Sequence, residues 1–213
     1  MVKYCIWDVG KTIYPYSLDP LNEYCIKHSK NPEALAQKGG VKAFDFDPYM
    51  KGKINFRKFC NDLCKFCQLK VTPTTYININ KEMHRGVGQV FPETKEAMEF
   101  LQSRGITNCI LSNALPNLAG TGIVEGLVEE KNAFTSYDLR LLKPDPKIFK
   151  AVLEKLGAKP GDVIFVDDKL KNVEAAQKLG IHGIKYNRET IVKNIHSITD
   201  ALKPRSAEKS KTK

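Results

Sequence analysis

The spacing of apolar residues along this chain changes twice, and the changes divide it. Tyr4-Cys5-Ile6-Trp7 is a short apolar run that predicts a strand, stopped by Asp8. From Pro15 to about Gly86 the spacing is helical and broken by turn residues, predicting helices over 21–29, 55–69 and 73–84. The second of these puts Phe56, Phe59, Leu63 and Phe66 on one face. After Gly86, helices and strands alternate. Pro92 opens a helix that Gly105 ends, with proline early and glycine late. A strand at 108–111 follows, then a looser stretch to Glu130, a short strand at 133–135 and a helix at 145–156 closed by Gly157. Val163-Ile164-Phe165-Val166 is continuously apolar, as a strand buried on both faces must be. A helix at 170–179, a strand at 183–185 and a last helix at 189–202 complete the pattern.

Strands separated by helices predict an α/β fold: a doubly wound, Rossmann-like parallel sheet with helices on both faces. Residues 1–13 and 87–202 then form the core, and 14–86 is an inserted, all-helical lid. Residues 203–213 hold five basic side chains and one acidic, with nothing apolar larger than alanine or proline, and are expected to be a disordered tail.

Composition narrows the class. The 213 residues suffice for one good core plus a small accessory domain, and 42% hydrophobic with 27% charged is ordinary for a globular protein. No apolar run approaches the roughly 20 residues that span a bilayer. The N-terminus meets a charge too soon for a signal peptide. Six cysteines without an export signal read as reduced thiols, so the expected compartment is the cytoplasm. The net charge of +10 includes +4 from the tail, leaving +6 on the body. That balance suits a small anionic substrate, and no basic–aromatic stripe points to nucleic acid as a partner.

The chemistry lies where predicted strands end, because ligands of such sheets sit at the carboxyl ends of the strands. The first strand delivers Asp8, with Val9-Gly10-Lys11-Thr12 after it. The second delivers Ser112 and Asn113, a following loop Lys143, and the fully apolar strand Asp167 and Asp168. Two adjacent acids behind an apolar strand are costly unless a cation neutralises them, and an all-oxygen site with waters suits magnesium. Lysine and serine nearby match a phosphate. Taken singly, each residue has an ordinary structural use as a helix cap, turn former or solvated loop side chain. The weight lies in their agreement.

At these residues the chain resembles the haloacid dehalogenase-like hydrolase superfamily. The first family motif, Asp-x-Asp-x-Thr, reads Asp8-Val9-Gly10-Lys11-Thr12. The second is matched by Ile110-Leu111-Ser112-Asn113, the third by Lys143 in Leu142-Lys143-Pro144-Asp145-Pro146, and the fourth by Val166-Asp167-Asp168. The insertion resembles the family's small helical cap. The resemblance implies a phosphatase-type enzyme: Asp8 as nucleophile forming an aspartyl-phosphate, Ser112, Asn113, Thr12 and Lys143 around the phosphoryl group, and Lys143 orienting the nucleophile. Asp8, the Gly10 carbonyl, Asp167 and Asp168 would hold Mg2+, with Asn172 supporting them. The expected substrate is a small phosphorylated metabolite.

The departure is Gly10. Most phosphatases of the family carry there a second aspartate that protonates the leaving oxygen and then activates water, while some of its branches tolerate a non-acidic residue. Loss of the aspartate removes about 10² to 10⁴ in rate, least for leaving groups of low pKa. Two other readings follow: a phosphate-binding protein without turnover, and a haloacid dehalogenase. The second is disfavoured by the acidic pair, since dehalogenases resemble Ser-x-Asn there and need no metal.

Two further patterns carry less. Cys60, Cys64 and Cys67 have the C-x₃-C-x₂-C spacing of radical S-adenosylmethionine enzymes, but on a helix they share one face and are expected to pack as small apolar groups. Gly10-Lys11-Thr12 lacks the earlier glycine of a phosphate-binding P-loop, since Cys5 stands there. Of four scattered histidines, His84 is the candidate to face the cleft from the lid.

Overall fold

A computed structural model describes residues 1–114 and 128–202. Among them, β1 (Tyr4–Trp7), β2 (Thr107–Ser112), β3 (Ala133–Thr135), β4 (Val163–Asp167) and β5 (His182–Lys185) form one sheet in the order β3-β2-β1-β4-β5. Every pairing is parallel. The chain winds outward from β1 to β3, then returns to the other side of β1 for β4 and β5. The direction therefore reverses between β1 and β4, and a crevice opens beyond their carboxyl ends.

Helices cover both faces, and the alternation of strand side chains decides which residue meets which layer. On one face, α6 (Pro92–Ser103) and α10 (Ile191–Ala201) bury Met98, Leu101 and Ile195 against Trp7, Ile164 and Val166. On the other, α8 (Pro146–Leu156) and α9 (Leu170–Gln177) bury Phe149, Val152 and Ala176 against Ile6, Leu111 and Phe165. Strand β4 is buried throughout, which is why its sequence shows no polar alternation. The polar edge of the large buried Trp7 is satisfied: its indole donates to Asn108 Oδ1 at 3.0 Å, and the Asn108 amide donates to the Met98 carbonyl at 2.9 Å.

Between β1 and α6 lies a helical layer with its own core. It comprises α1 (Asp19–His28), α2 (Pro32–Gln37), α3 (Asp47–Met50), α4 (Phe56–Phe66) and α5 (Thr75–Arg85), with a 3₁₀ turn at Gly40–Ala43. Leu21, Cys25, Phe59, Leu63, Ile79 and Met83 are all fully buried there. Asn55 starts α4 by accepting a hydrogen bond from the Lys58 amide at 2.9 Å. Cys60, Cys64 and Cys67 lie in this apolar core with Cys25, and all six cysteines are free thiols. Burial pushes the Cys60 thiol up to about 12, in keeping with a side chain that packs in this core.

Two antiparallel linkers join this layer to the sheet: Ser17 N–H donates to the Gly86 carbonyl and Gly88 N–H to the Pro15 carbonyl, both at 2.9 Å. The approach at Gly86 is so close that a Cβ there would lie 1.9 Å from the Ser17 carbonyl oxygen, so glycine is required. A second contact comes from α7 (Ser136–Leu139), where the buried Ser136 hydroxyl donates to the Met50 carbonyl of α3 at 2.9 Å.

The predicted elements recur with shifted ends. The helix expected to reach residue 69 stops at Phe66, because Gln68 takes a left-handed conformation with φ 54°. Helix α9 stops at Gln177, two residues short of the expectation. Helices α2, α3 and α7 have four to six residues each, too few for a periodic signal. The tail at 203–213 and most of the looser stretch after Asn113 lie outside the described residues.

Candidate active site

Asp8 sits at the mouth of the crevice because β1 ends one residue before it, and it is 7% exposed. The buried Lys143 side chain reaches it from the loop before α8, with Nζ 2.6 Å from Asp8 Oδ1 and 2.8 Å from Asp167 Oδ2. The same ammonium donates to the Leu111 carbonyl at 2.6 Å, so all three of its protons are used. Asn113 holds this lysine's backbone: its amide donates to the Lys143 carbonyl, and its oxygen accepts from the Lys143 N–H, both at 2.9 Å. The Asn113 amide is thereby committed to positioning Lys143, in place of the side-chain phosphate contact the sequence suggested.

Asp167 is fully buried, and both its oxygens accept hydrogen bonds. Its Oδ1 accepts from the Lys169 amide at 2.8 Å and from Asn172 at 3.0 Å, and its Oδ2 accepts from Asn172 at 2.9 Å as well as from Lys143. Asp168 differs. It lines the cleft, and its Oδ1 is buried without a hydrogen-bond partner. Such an oxygen costs free energy until something binds it.

Three carboxylates share one buried ammonium here, with the exposed Lys11 and Lys169 at the edge of the cleft. Oxygens of Asp8, Asp167 and Asp168 lie within 4.8 Å of one another, and among the described residues this is the one group of three acidic, cysteine or histidine side chains so arranged. An all-oxygen, net-negative set with an orphaned buried oxygen fits a hard divalent cation such as magnesium. Burial pushes the Asp8 carboxyl up, and the charge of Lys143 offsets part of the rise. Burial alone would depress the Lys143 ammonium, but Asp8 and Asp167 outweigh it and hold the pKa above its ordinary value. Burial and then the Asp8 charge push Tyr14, also at the cleft, up to about 12.

Ser112 and Gly10 also line the cleft, a cavity of ≈ 440 Å³. Thr12 does not reach it. Thr12 is fully buried beneath the loop; its carbonyl accepts from the Thr94 hydroxyl at 2.8 Å, and its own hydroxyl is buried without a partner among the described residues. His84 is likewise turned away, its Nδ1 2.8 Å from the Asn80 carbonyl of its own helix and its ring outside the cleft lining. Sequence reasoning missed the wall that the helical layer contributes: Tyr16, Leu18, Lys42, Phe46 and Met50. These residues share no motif or spacing, and only the folded loops bring them together.

Strand ends of a parallel α/β sheet thus bring an aspartate, a bridging lysine and an acidic pair together at one cleft, an arrangement that marks an α/β hydrolase. Comparison with known proteins gives the family: residues 2–180 match the haloacid dehalogenase-like hydrolase family, and the chain belongs to it. It is 26% identical over 176 residues to mouse acyl-CoA dehydrogenase family member 10, covering 78% of this chain and 16% of that protein. It is 28% identical over 101 residues to (S)-2-haloacid dehalogenase 4A of Burkholderia cepacia (46% and 44% covered). It is 30% identical over 137 residues to a phosphorylated carbohydrates phosphatase of Thermotoga maritima (58% and 58% covered). The chain thus spans 16% to 58% of these relatives' lengths. The same fold occurs in a Bacteroides thetaiotaomicron family enzyme crystallised with magnesium and inorganic phosphate, at TM-score 0.70 and 21% identity over 88% of this chain and 96% of that one. Among the described residues, no helix is long and apolar enough to cross a membrane.

Proposed function

We propose that this chain is a magnesium-dependent phosphomonoester hydrolase acting on a small phosphorylated metabolite through an aspartyl-phosphate. One observation carries the reading: Lys143 bridges Asp8 and Asp167 while Asp168 presents an unpartnered oxygen to the same spot. A substrate phosphoryl group sits over Asp8 with Ser112 beside it. Asp8 Oδ attacks phosphorus, the bond to the leaving oxygen breaks, and the electron pair leaves with that oxygen. Lys143 fixes the attacking carboxylate and screens its approach to an anion. Magnesium, held by Asp8, Asp168, Asp167 and the Gly10 carbonyl, would neutralise the excess negative charge and keep Asp8 ionised. Water then attacks the aspartyl-phosphate, the P–O bond to Asp8 breaks and phosphate departs. The helical layer acts as a cap that screens the cleft from solvent and recognises the rest of the substrate.

The kinship with haloacid dehalogenases leaves a second chemistry to weigh. A metal-independent dehalogenation offers nothing to neutralise Asp167 and Asp168, so the acidic pair favours phosphoryl transfer. Gly10 favours a different rival, a protein that binds phosphate without turning it over. Phosphate release from acetyl phosphate, with and without magnesium, separates these readings. The expected result is magnesium-dependent release that Asp8→Asn abolishes. Phosphate binding without any release would support the rival.

A further inference from the structure

The cleft has two ends of different character, and the second bears on what the phosphate is attached to. On the side of the helical layer the wall is apolar. Leu18, Phe46 and Met50 line it, and the Tyr16 ring continues it toward the reacting carboxylate. Phe46 is held in place by ring contacts to Phe44 at 5.2 Å and Phe59 at 5.8 Å, so this surface is preorganised. Few polar groups on this side are free: among the described residues the Tyr16 hydroxyl is buried without a partner, and the others have one. Ser17 Oγ accepts from the Asp19 amide at 3.0 Å, and the Asp19 carboxylate pairs with Lys42 at 2.9 Å. A polyhydroxylated body would bury more hydroxyls against this wall than the single Tyr16 hydroxyl can satisfy, at a cost that an apolar ring avoids.

The second observation is independent and concerns Gly10. The backbone there is not left-handed, and a Cβ would stand 3.5 Å from Tyr16 Cβ, an ordinary contact. Nothing steric therefore requires glycine. Its effect is chemical: no side chain stands there to protonate the leaving oxygen. Of the carboxylates that line the cleft among the described residues, Asp8 attacks, Asp168 belongs to the cation site and Asp19 is paired. Without a carboxylic acid at position 10 the site suits a leaving group that departs as an anion, which an aromatic hydroxyl does far more readily than an alkyl or sugar hydroxyl.

Resting on the phosphatase reading above, we propose that the substrate is a monophosphate ester of an aromatic hydroxyl, its ring seated against Phe46, Met50 and Tyr16. Asp8 takes the phosphoryl group as the P–O(aryl) bond breaks, and the phenolate departs with the electron pair and takes its proton from solvent water. Hydrolysis of the aspartyl-phosphate then returns Asp8 and releases phosphate. The cavity of ≈ 440 Å³ suits a phosphate with one or two rings attached.

The test is a set of magnesium-dependent kcat/KM values for 2-naphthyl, phenyl and benzyl phosphates, glucose 6-phosphate and acetyl phosphate. Phenyl and benzyl phosphates have similar bodies but differ in leaving-group acidity. Phenyl is expected to exceed benzyl by about 100-fold or more, and Gly10→Asp to shrink that gap to within about tenfold. The ratio of 2-naphthyl to acetyl phosphate isolates the ring. It is expected to fall about tenfold in Phe46→Ala and less in Phe46→Leu, with circular dichroism checking that both variants fold. Equal rates for benzyl and phenyl phosphate, glucose 6-phosphate outrunning 2-naphthyl phosphate, or a ring ratio unchanged in both Phe46 variants would each overturn the proposal while leaving the phosphatase reading intact. Failure to release phosphate from acetyl phosphate would take down both.

Discussion

The site's arrangement rests on one buried ammonium. Lys143 makes two ion pairs and one carbonyl contact with its side chain almost wholly out of water. Removing one partner of such a cluster costs far more than the cluster contributes as a whole, because the remaining charges stay buried and unpaired. Lys143→Met is therefore expected to lose about 3–5 kcal/mol of stability at neutral pH in EDTA, measured by urea unfolding. The loss should shrink toward acid pH. Burial already pushes the Asp8 carboxyl up, and with the ammonium gone nothing offsets it, so the folded form gains a proton, and stability, as pH falls through that range. A loss under about 1 kcal/mol would mean that the bridge does not form in solution. At this scale most of the site was legible: Asp8, Ser112, Lys143, Asp167 and Asp168 each follow a strand or loop the pattern located. The task of Asn113 was not legible, since two hydrogen bonds to a backbone thirty positions away leave no local trace.

At the scale of elements, the linkers between the helical layer and the sheet are the sensitive joint. Gly86→Ala puts a methyl group where the Ser17 carbonyl already lies, so the paired linkers must separate. The expected cost is about 1–3 kcal/mol in the midpoint of chemical unfolding. An unchanged midpoint would show that the linkers are not held as described. Long elements such as α4, α6 and α8 announced themselves through period and caps. Short ones did not: α2 depends on Asn31 accepting from the Ala34 amide and on Pro32 beside it, a cue shared with many turns. The C-x₃-C-x₂-C run shows the opposite hazard, a spacing that resembles a cluster motif and packs as part of a helix.

For the molecule as a whole, a cation held at the proposed acidic site would tie stability to its binding. Anything that binds the folded form alone stabilises it by mass action, by about 2.7 kcal/mol at a hundred times its Kd. Magnesium is expected to raise the melting temperature in a saturable way, EDTA to reverse it, and Asp168→Ala to abolish it. Equal shifts in wild type and Asp168→Ala would assign the effect to some other site.

The periodicity of the chain alone determined that a parallel sheet with helices on both faces would form and which strand ends would carry acids. Those features follow from local spacing and from the exclusion of charge from buried strands. The tertiary structure decided the rest. Which helical residues wall the cleft, that Lys143 spans Asp8 and Asp167, and that Asp168 keeps a free oxygen all depend on loops from distant segments meeting beyond the sheet. Such meetings are set by packing geometry, which no single stretch of sequence encodes.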